Sequence, residues 1–322
     1  MLSRRLLLAT VLATLTIAPA PAQAQSYPSR PIKLIAPFPA GGSVDIMARL
    51  VAQRLSATLG QTIVENRPGA GSTLAGKIVA TSDPDGYTIM LASSSTLAIG
   101  PALYSSAGYD PLTAFAPVAM ISSIPYLLVV AKNTPWKSVG ELIAFAKANP
   151  GKLNLATANG APQHMLSLMF RQQSGADVVV VPYRGSSNVI TDMIAGQIEA
   201  GFDTTAVTLT HVRAGNLRAL AAVSEQRMAD LPEVPTLKES GLPGVIGSSW
   251  TAIVAPAGTP PNIVAKLRAA VLDGLKTSEL KDRFAQMSAE PRFDSPEELK
   301  AFIASEHARI GAIIRAAGVK GE

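Results

Sequence analysis

No cysteine occurs in the 322 residues. That excludes disulfide staples, thiol nucleophiles and cysteine-based metal sites, and it suits an oxidising compartment. Histidine is almost as scarce: His164, His211 and His307 stand far apart, without an H-E-x-x-H pair or any other metal-ligand spacing. Charged residues make up only 16%, where about a quarter is usual. With a formal net charge of +5, 5% aromatics and no block of five or more Lys/Arg, the chain lacks the electrostatic footprint of a nucleic-acid binder. There is no G-x-S-x-G elbow and no Walker A sequence, and Gly69-Ala70-Gly71-Ser72-Thr73-Leu74 fails the dinucleotide fingerprint at its third glycine. No catalytic constellation, metal set or cofactor motif is therefore expected.

What is present is apolar: 48% hydrophobic residues, enough for a sizeable core. The one long apolar run lies at the extreme N-terminus. Arg4 and Arg5 precede an apolar stretch from Leu6 to Ile17, and Ala22-Gln23-Ala24 supplies a small-x-small cleavage pattern, so residues 1–24 read as a secretory signal. Ser3-Arg4-Arg5-Leu6-Leu7 also weakly resembles a twin-arginine export signal. Cleavage before Gln25 would leave 298 residues with a formal charge of +3.

In the remaining chain, short apolar runs alternate with helical patterns. The runs are Ile32 to Pro37, Tyr87 to Ala92, Tyr126 to Ala131, Val178 to Val181, Leu217 to Val223 and Thr251 to Ala255. Consecutive apolar positions suit strands buried on both faces, which predicts an α/β protein with mostly parallel sheets flanked by helices. About 300 residues exceed one comfortable core and favour two such lobes. The Gly/Pro/Ser stretches Leu112 to Pro125 and Leu231 to Ser249 are the best crossings, which predicts lobe one over 25–124 and 248–322 and lobe two over 125–247. Ser138-x-x-Glu141 and Ser295-Pro296-Glu297-Glu298 read as capping boxes.

Four strand ends run into donor-rich loops. Pro37-Phe38-Pro39-Ala40-Gly41-Gly42-Ser43 leads into a helix, so unpaired N–H groups and a favourable dipole form an anion seat; the same segment also reads as a tight turn with Ser43 as helix cap. Asp45 reads as a dipole partner. Ser93-Ser94-Ser95-Thr96, Thr157-Ala158-Asn159-Gly160 and Pro182-Tyr183-Arg184-Gly185-Ser186-Ser187 have the same character. In α/β sheets ligands bind beyond the carboxyl ends of strands, so such loops can share one cleft. His164 reads as a capping or packing residue.

The chain resembles the extracytoplasmic solute receptors of tripartite tricarboxylate transporters, the Bug proteins. The resemblance lies in Tyr27-Pro28-Ser29-Arg30-Pro31-Ile32, Pro37-Phe38-Pro39-Ala40-Gly41-Gly42, Glu65-Asn66-Arg67-Pro68-Gly69-Ala70-Gly71 and Pro84-Asp85-Gly86-Tyr87-Thr88, then in Val181-Pro182-Tyr183-Arg184-Gly185-Ser186, Leu231-Pro232-Glu233-Val234-Pro235-Thr236 and Ala255-Pro256-Ala257-Gly258-Thr259-Pro260. It implies a periplasmic binding protein fold closing on a small carboxylate or related polar solute, with no catalysis, delivery to transporter membrane subunits, and action as a monomer. By position it implies ligand contacts from Phe38, Gly41, Gly42, Ser43, Ser93 and Ser95 in lobe one, and from Asn159, Gly160, Tyr183 and Asp203 in lobe two. Asp203 reads equally as the N-cap of a helix beginning near Thr204. Ala158 to His164 lacks a glycine and a hydroxyl that relatives often carry, and Leu97 stands where a His is frequent; both suggest a solute less polar than citrate, such as a monocarboxylate or aromatic acid. Docking on a sensor kinase, or hydrolysis on the same scaffold, are the alternative roles.

Overall fold

The computed structural model describes residues 27–158, 161–183 and 185–319. The N-terminal export signal predicted over residues 1–24 lies outside these. The first half of the chain forms β1 (Ile32–Ala36), α1 (Ser43–Thr58), β2 (Thr62–Asn66), α2 (Thr73–Ala80), β3 (Thr88–Ser93) and, after a π-helical turn at Ser95–Ile99, the short α3 (Gly100–Leu103). A 17-residue strand, β4 (Phe115–Ala131), follows. Next come α4 (Val139–Ala148), β5 (Leu153–Ala158), α5 (Pro162–Ser174), β6 (Val178–Tyr183), α6 (Ser186–Ile194), β7 (Ala200–Thr204), α7 (Thr205–Arg213) and β8 (Leu217–Val223). The chain ends with β9 (Ser248–Pro256), α8 (Pro261–Leu275), α9 (Ser278–Gln286), β10 (Glu290–Pro291) and α10 (Pro296–Ala317).

The strands pair in the order β2-β1-β3-β9-β4-β7-β5-β6, with β8 and β10 also on β4. β1 is parallel to β2 and β3, and β5 to β6 and β7. Everything that touches β4 or β9 is antiparallel. The α/β class is as expected, but the sheets are mixed rather than mostly parallel. The reason is topological: β4 and β9 run through the middle of the molecule in opposite directions. The stretch from Leu112 to Pro125, expected as a connecting loop, is mostly strand, because β4 passes from one half of the sheet into the other without a break. At Pro125 its partner changes: Pro125 is opposite Ser248 of β9, whereas Tyr126 is opposite Thr204 of β7. A proline fits there because a ladder N–H is dispensable where one pairing stops and the next begins.

Burial on both faces explains the consecutive apolar runs. On one face Leu34, Ile89, Leu91 and Val118 pack against Met47, Val51 and Leu55 of α1 and Leu267 and Val271 of α8. Ile35, Met90, Ala92 and Met120 point the other way, toward Val79, Trp250 and Leu299. In the second half, Leu128, Val130, Leu155 and Phe202 face Phe170 of α5, while Leu127, Val129 and Ala156 face Ile190 and Met193 of α6. A fifth cluster joins the halves: Ala98, Ile99 and Leu103 meet Met165 and Leu168 of α5 and Ile310 and Ile314 of α10.

Helix starts follow local chemistry. Ser295 and Glu298 form the complete box, with Pro296 at the first helical position. At α4, Ser138 Oγ accepts from the Glu141 N–H at 3.2 Å, but the Glu141 carboxylate accepts from the Lys137 N–H, one residue earlier than a box requires.

Candidate functional site

The pairing registers set the geometry of the cleft. β4 and β9 are antiparallel, as are β9 and β3, so β3 and its parallel neighbours β1 and β2 end toward Pro125. On the other side β7 is antiparallel to β4, and it too ends at this point, with β5 and β6 alongside. Carboxyl ends of strands from both halves therefore converge on one level of β4, around Pro125. Ser93 is opposite Thr251, which is opposite Ser122; Asp203 is opposite Leu127. Five residues of β4 separate these levels, roughly 17 Å at strand rise.

The first loop, expected as an anion seat, is stapled by side-chain hydrogen bonds. Asp45, buried in the first turn of α1, accepts from the Gly41 N–H (2.9 Å), Arg49 Nε (2.9 Å) and Asn66 Nδ2 (2.9 Å), and the same Asn66 amide donates to the Phe38 carbonyl (2.9 Å). Burial works against ionisation of Asp45, but the bonds from Arg49, Gly41 and Asn66 outweigh it and hold the carboxyl below its ordinary range. Gly41 has φ +90°, a conformation that favours glycine, and its N–H is turned inward to Asp45 rather than outward to a ligand. Gly42 is the helix cap by backbone geometry and lies exposed, with open space where a side chain would begin. Ser43, expected as the cap, is the first helical residue instead, and its side chain makes no capping bond. The amides of Ser43, Val44 and Asp45 have no carbonyl within α1 to bind. Phe38 is half-buried and packs against the core beneath.

The second loop is a set of buried hydroxyls. Ser93 Oγ lies 3.5 Å from Thr96 Oγ1, and Thr96 Oγ1 donates to Ser72 Oγ at 3.2 Å. Ser95 Oγ is fully buried and has no partner among the described residues. Leu97 does not line the cleft as expected. It is fully buried with Val79, Met90 and Trp250 on the far face of the sheet, so it has no bearing on solute polarity.

In the second half Asp203 is the centre. Its Oδ1 accepts from Ser186 Oγ (2.9 Å) and from the Thr204 N–H (2.7 Å), and the Gln163 side chain bonds to it as well. Burial pushes the carboxyl up to about 6 against these bonds. The helix cap is Thr204, with α7 starting at Thr205, so the reading of Asp203 as N-cap is corrected. Tyr126, fully buried, is bonded to Ser249, and burial together with the nearby Asp203 charge pushes its phenol up. Tyr183 donates its hydroxyl proton to Asp192 at 3.0 Å, leaving its oxygen as an acceptor only. Asn159 and Gly160 lie outside the described residues. Gln163, Ser186 and Thr204 carry the centre yet were not assigned from sequence. The sequence places Gln163 in a helical first turn, but only the pairing of β5 with β7 brings that turn to Asp203.

Two further polar atoms here, Gln163 Oε1 and His164 Nδ1, are buried without a partner among the described residues. Burial first, and then Arg171, hold His164 below the ordinary histidine range, so it is neutral at pH 7. A small cavity of about 20 Å³, bounded by Ser94 and Ile99 on one side and Tyr126 and Met165 on the other, has room for about one water. Among the described residues no group of His, Asp and Glu could hold a metal ion, and no helix is long and apolar enough to cross a membrane.

The family model described as tripartite tricarboxylate transporter family receptor matches residues 47–319. Protein BugT of Bordetella pertussis is 39% identical over 304 residues, covering 94% of this chain and 93% of that protein. The solved structure of the periplasmic binding protein BugD superposes with a TM-score of 0.84 at 33% identity, covering 92% of this chain and all of that one. Rpa4515 of R. palustris, solved with adipate, gives a TM-score of 0.85 at 33% identity, covering 91% and 99%.

Proposed function

Given that the chain belongs to the tripartite tricarboxylate transporter family of receptors, we propose that its cleft captures a small carboxylate and hands it to the membrane subunits of such a transporter. The family and its structural neighbours are solute receptors, not enzymes. In this reading the chain is a periplasmic-type binding protein of two lobes, 25–124 with 248–322 and 125–247, exported by the signal at 1–24 and acting as a monomer. The observation that carries the ligand class is the facing of two kinds of donor across the bend at Pro125: the free amides of the α1 start and the buried hydroxyls after β3, set against the Asp203 centre. Uncharged donors in a partly dry cleft hold an acid group without a formal counter-charge, as helix N-termini hold anions elsewhere. The bound adipate of Rpa4515 is an acid of the same kind.

Gly42, Ser43, Ser93 and Ser95 are the contacts this reading places on the acid group; Gly41 and Phe38 shape the loop around it. Asn159, Gly160 and Tyr183 would complete the wall opposite. Closure of the two halves about β4 would bring the walls together, and the closed form is what a transporter would recognise. The test is native mass spectrometry of the freshly purified protein, followed by calorimetry with the acid it carries. A carboxylate bound one to one is the expected result. A protein that carries none, and gains no thermal stability from any small acid at millimolar concentration, would end the proposal.

A further inference from the structure

We propose that Asn66 is a positioning residue for solute binding: acting through the Pro37–Gly42 loop, it holds the start of α1 ready to receive an acid group, so that affinity depends on the edge strand of the sheet. This rests on the receptor reading above and extends the binding machinery to β2. The loop has little order of its own. Pro39, Ala40, Gly41 and Gly42 are all exposed, and the two glycines have no side chain to anchor them. Two side-chain hydrogen bonds tie it down. The Phe38 carbonyl accepts from Asn66 Nδ2 at 2.9 Å, and the Gly41 N–H donates to Asp45 Oδ2 at 2.9 Å. The two ties meet, because the same Nδ2 also donates to Asp45 Oδ1 at 2.9 Å.

The surroundings of Asn66 fix which way its amide points. The Phe38 carbonyl and the Asp45 carboxylate are both acceptors, so the group that faces them is the NH2, which has one proton for each. Turned over, the amide would set oxygen against oxygen twice. Oδ1 is left toward Arg49 Nη2 at 3.4 Å, and Arg49 Nε is bonded to Asp45 Oδ2 at 2.9 Å. Strand register puts Asn66 in this place. It stands opposite Ala36 on the last rung between β1 and β2, and the Arg67 N–H closes on the Ala36 carbonyl at 2.8 Å. Where β1 stops and the loop begins, β2 therefore supplies a fixed point. The charged groups that face position 66 are Asp45 and Arg49 of α1; Glu65 and Arg67 on β2 are bonded to each other. A loop ordered in advance loses less freedom when a solute arrives than one the solute must order, which is how a residue acting at one remove raises affinity.

The test is calorimetry on the full mature chain, freed of carried solute by unfolding and refolding. Succinate, malate, glutamate, adipate and citrate are titrated, and the acid bound most tightly becomes the probe. In Asn66→Leu, of similar volume but without either bond, the Kd for that acid is expected to rise at least about tenfold. Ser295→Ala, which loosens only the start of α10, should leave it unchanged. Asn66→Asp supplies a readout that lost packing does not give. The introduced carboxylate meets the Phe38 carbonyl and Asp45 acceptor to acceptor, and the Asp45 charge favours its taking up a proton as pH falls. Once protonated it has an O–H to give. The ratio of variant to parent Kd, in which the titration of the acid itself cancels, should be at least about tenfold at pH 7.5 and fall to about threefold at pH 5. Unchanged affinity in both variants overturns the inference and leaves the carboxylate receptor standing. A ratio for Asn66→Asp that is the same at both pH values also overturns it, and this measurement decides alone if Asn66→Leu does not fold. A parent chain that binds none of these acids overturns the receptor reading itself, independently of either variant.

Discussion

Replacing Asp203 by Asn should stabilise the solute-free protein, and by an amount that depends on pH. Asp203 is 2% exposed, and its carboxyl rises from an ordinary 3.8 to about 6 in the folded state. A carboxyl raised on folding contributes its full stability below pH 3.8 and loses it as pH climbs through 6, because between those values only the folded state keeps the proton. The difference of about two pH units corresponds to roughly 3 kcal/mol at neutral pH. The amide oxygen introduced by Asp203→Asn would still accept from Ser186 and from the Thr204 N–H, and Gln163 could turn its own amide to match. The assay is urea unfolding of both proteins, stripped of solute, from pH 4 to 7.5. The two should be equally stable near pH 4, and the Asn variant more stable by up to about 3 kcal/mol above pH 6.5, or about 6 °C in Tm for a chain of this size. Other titrating groups cancel in the difference. A difference that is flat with pH would refute the argument that Asp203 is held in a dry, uncompensated site.

The seat at α1 gives a matched pair: Gly42→Val should cost about 1 kcal/mol of stability or less, because φ is −82° and space is open, yet weaken solute binding at least about tenfold by covering the amides, both read by calorimetry. Gly41→Ala should cost about 1–2 kcal/mol, since φ is +90°, measured by urea unfolding. Asp45→Asn loses the Oδ2 acceptor shared by Gly41 and Arg49 while keeping an oxygen for Asn66; it should destabilise by about 1.5–3 kcal/mol at pH 7, with the gap closing as pH falls and the parent's depressed carboxyl protonates. Ser295→Ala removes one arm of the capping box on α10 and should lower stability by about 1 kcal/mol in the same assay.

The sequence made the fold legible where burial is two-sided. β1, β3, β8 and β9 coincide with apolar runs because both their faces are packed, whereas the run at β6 is an edge strand with Val179 41% exposed. β2 escaped notice because it is an edge strand with few apolar residues, one of which, Ile63, is 47% exposed. β7, Ala-Gly-Phe-Asp-Thr, is fully buried yet reads as a turn, since small and polar residues are tolerated only by the close approach of β4 and β5. Half of β4 read as loop because Pro117, Ser122 and Pro125 are ordinary turn residues away from a partner strand. The donor-rich loops were visible as punctuation after strands. Whether a given donor is free was not: Gly41 and Tyr183 look available in the sequence, but Asp45 and Asp192, each four to nine residues further on, take their hydrogen bonds. Leu97 illustrates the converse, a residue next to the site in sequence but behind the sheet in space.

The insertion of β9 between β3 and β4 also governs how the molecule can come into being. The Ser122 and Thr251 hydroxyls that touch at 2.9 Å are 129 residues apart in the chain. A ribosome must therefore finish the whole second half before the first can knit its central rung, and until then β3 and β4 keep raw edges. Such a nascent polypeptide cannot complete its central sheet until the second half has been made.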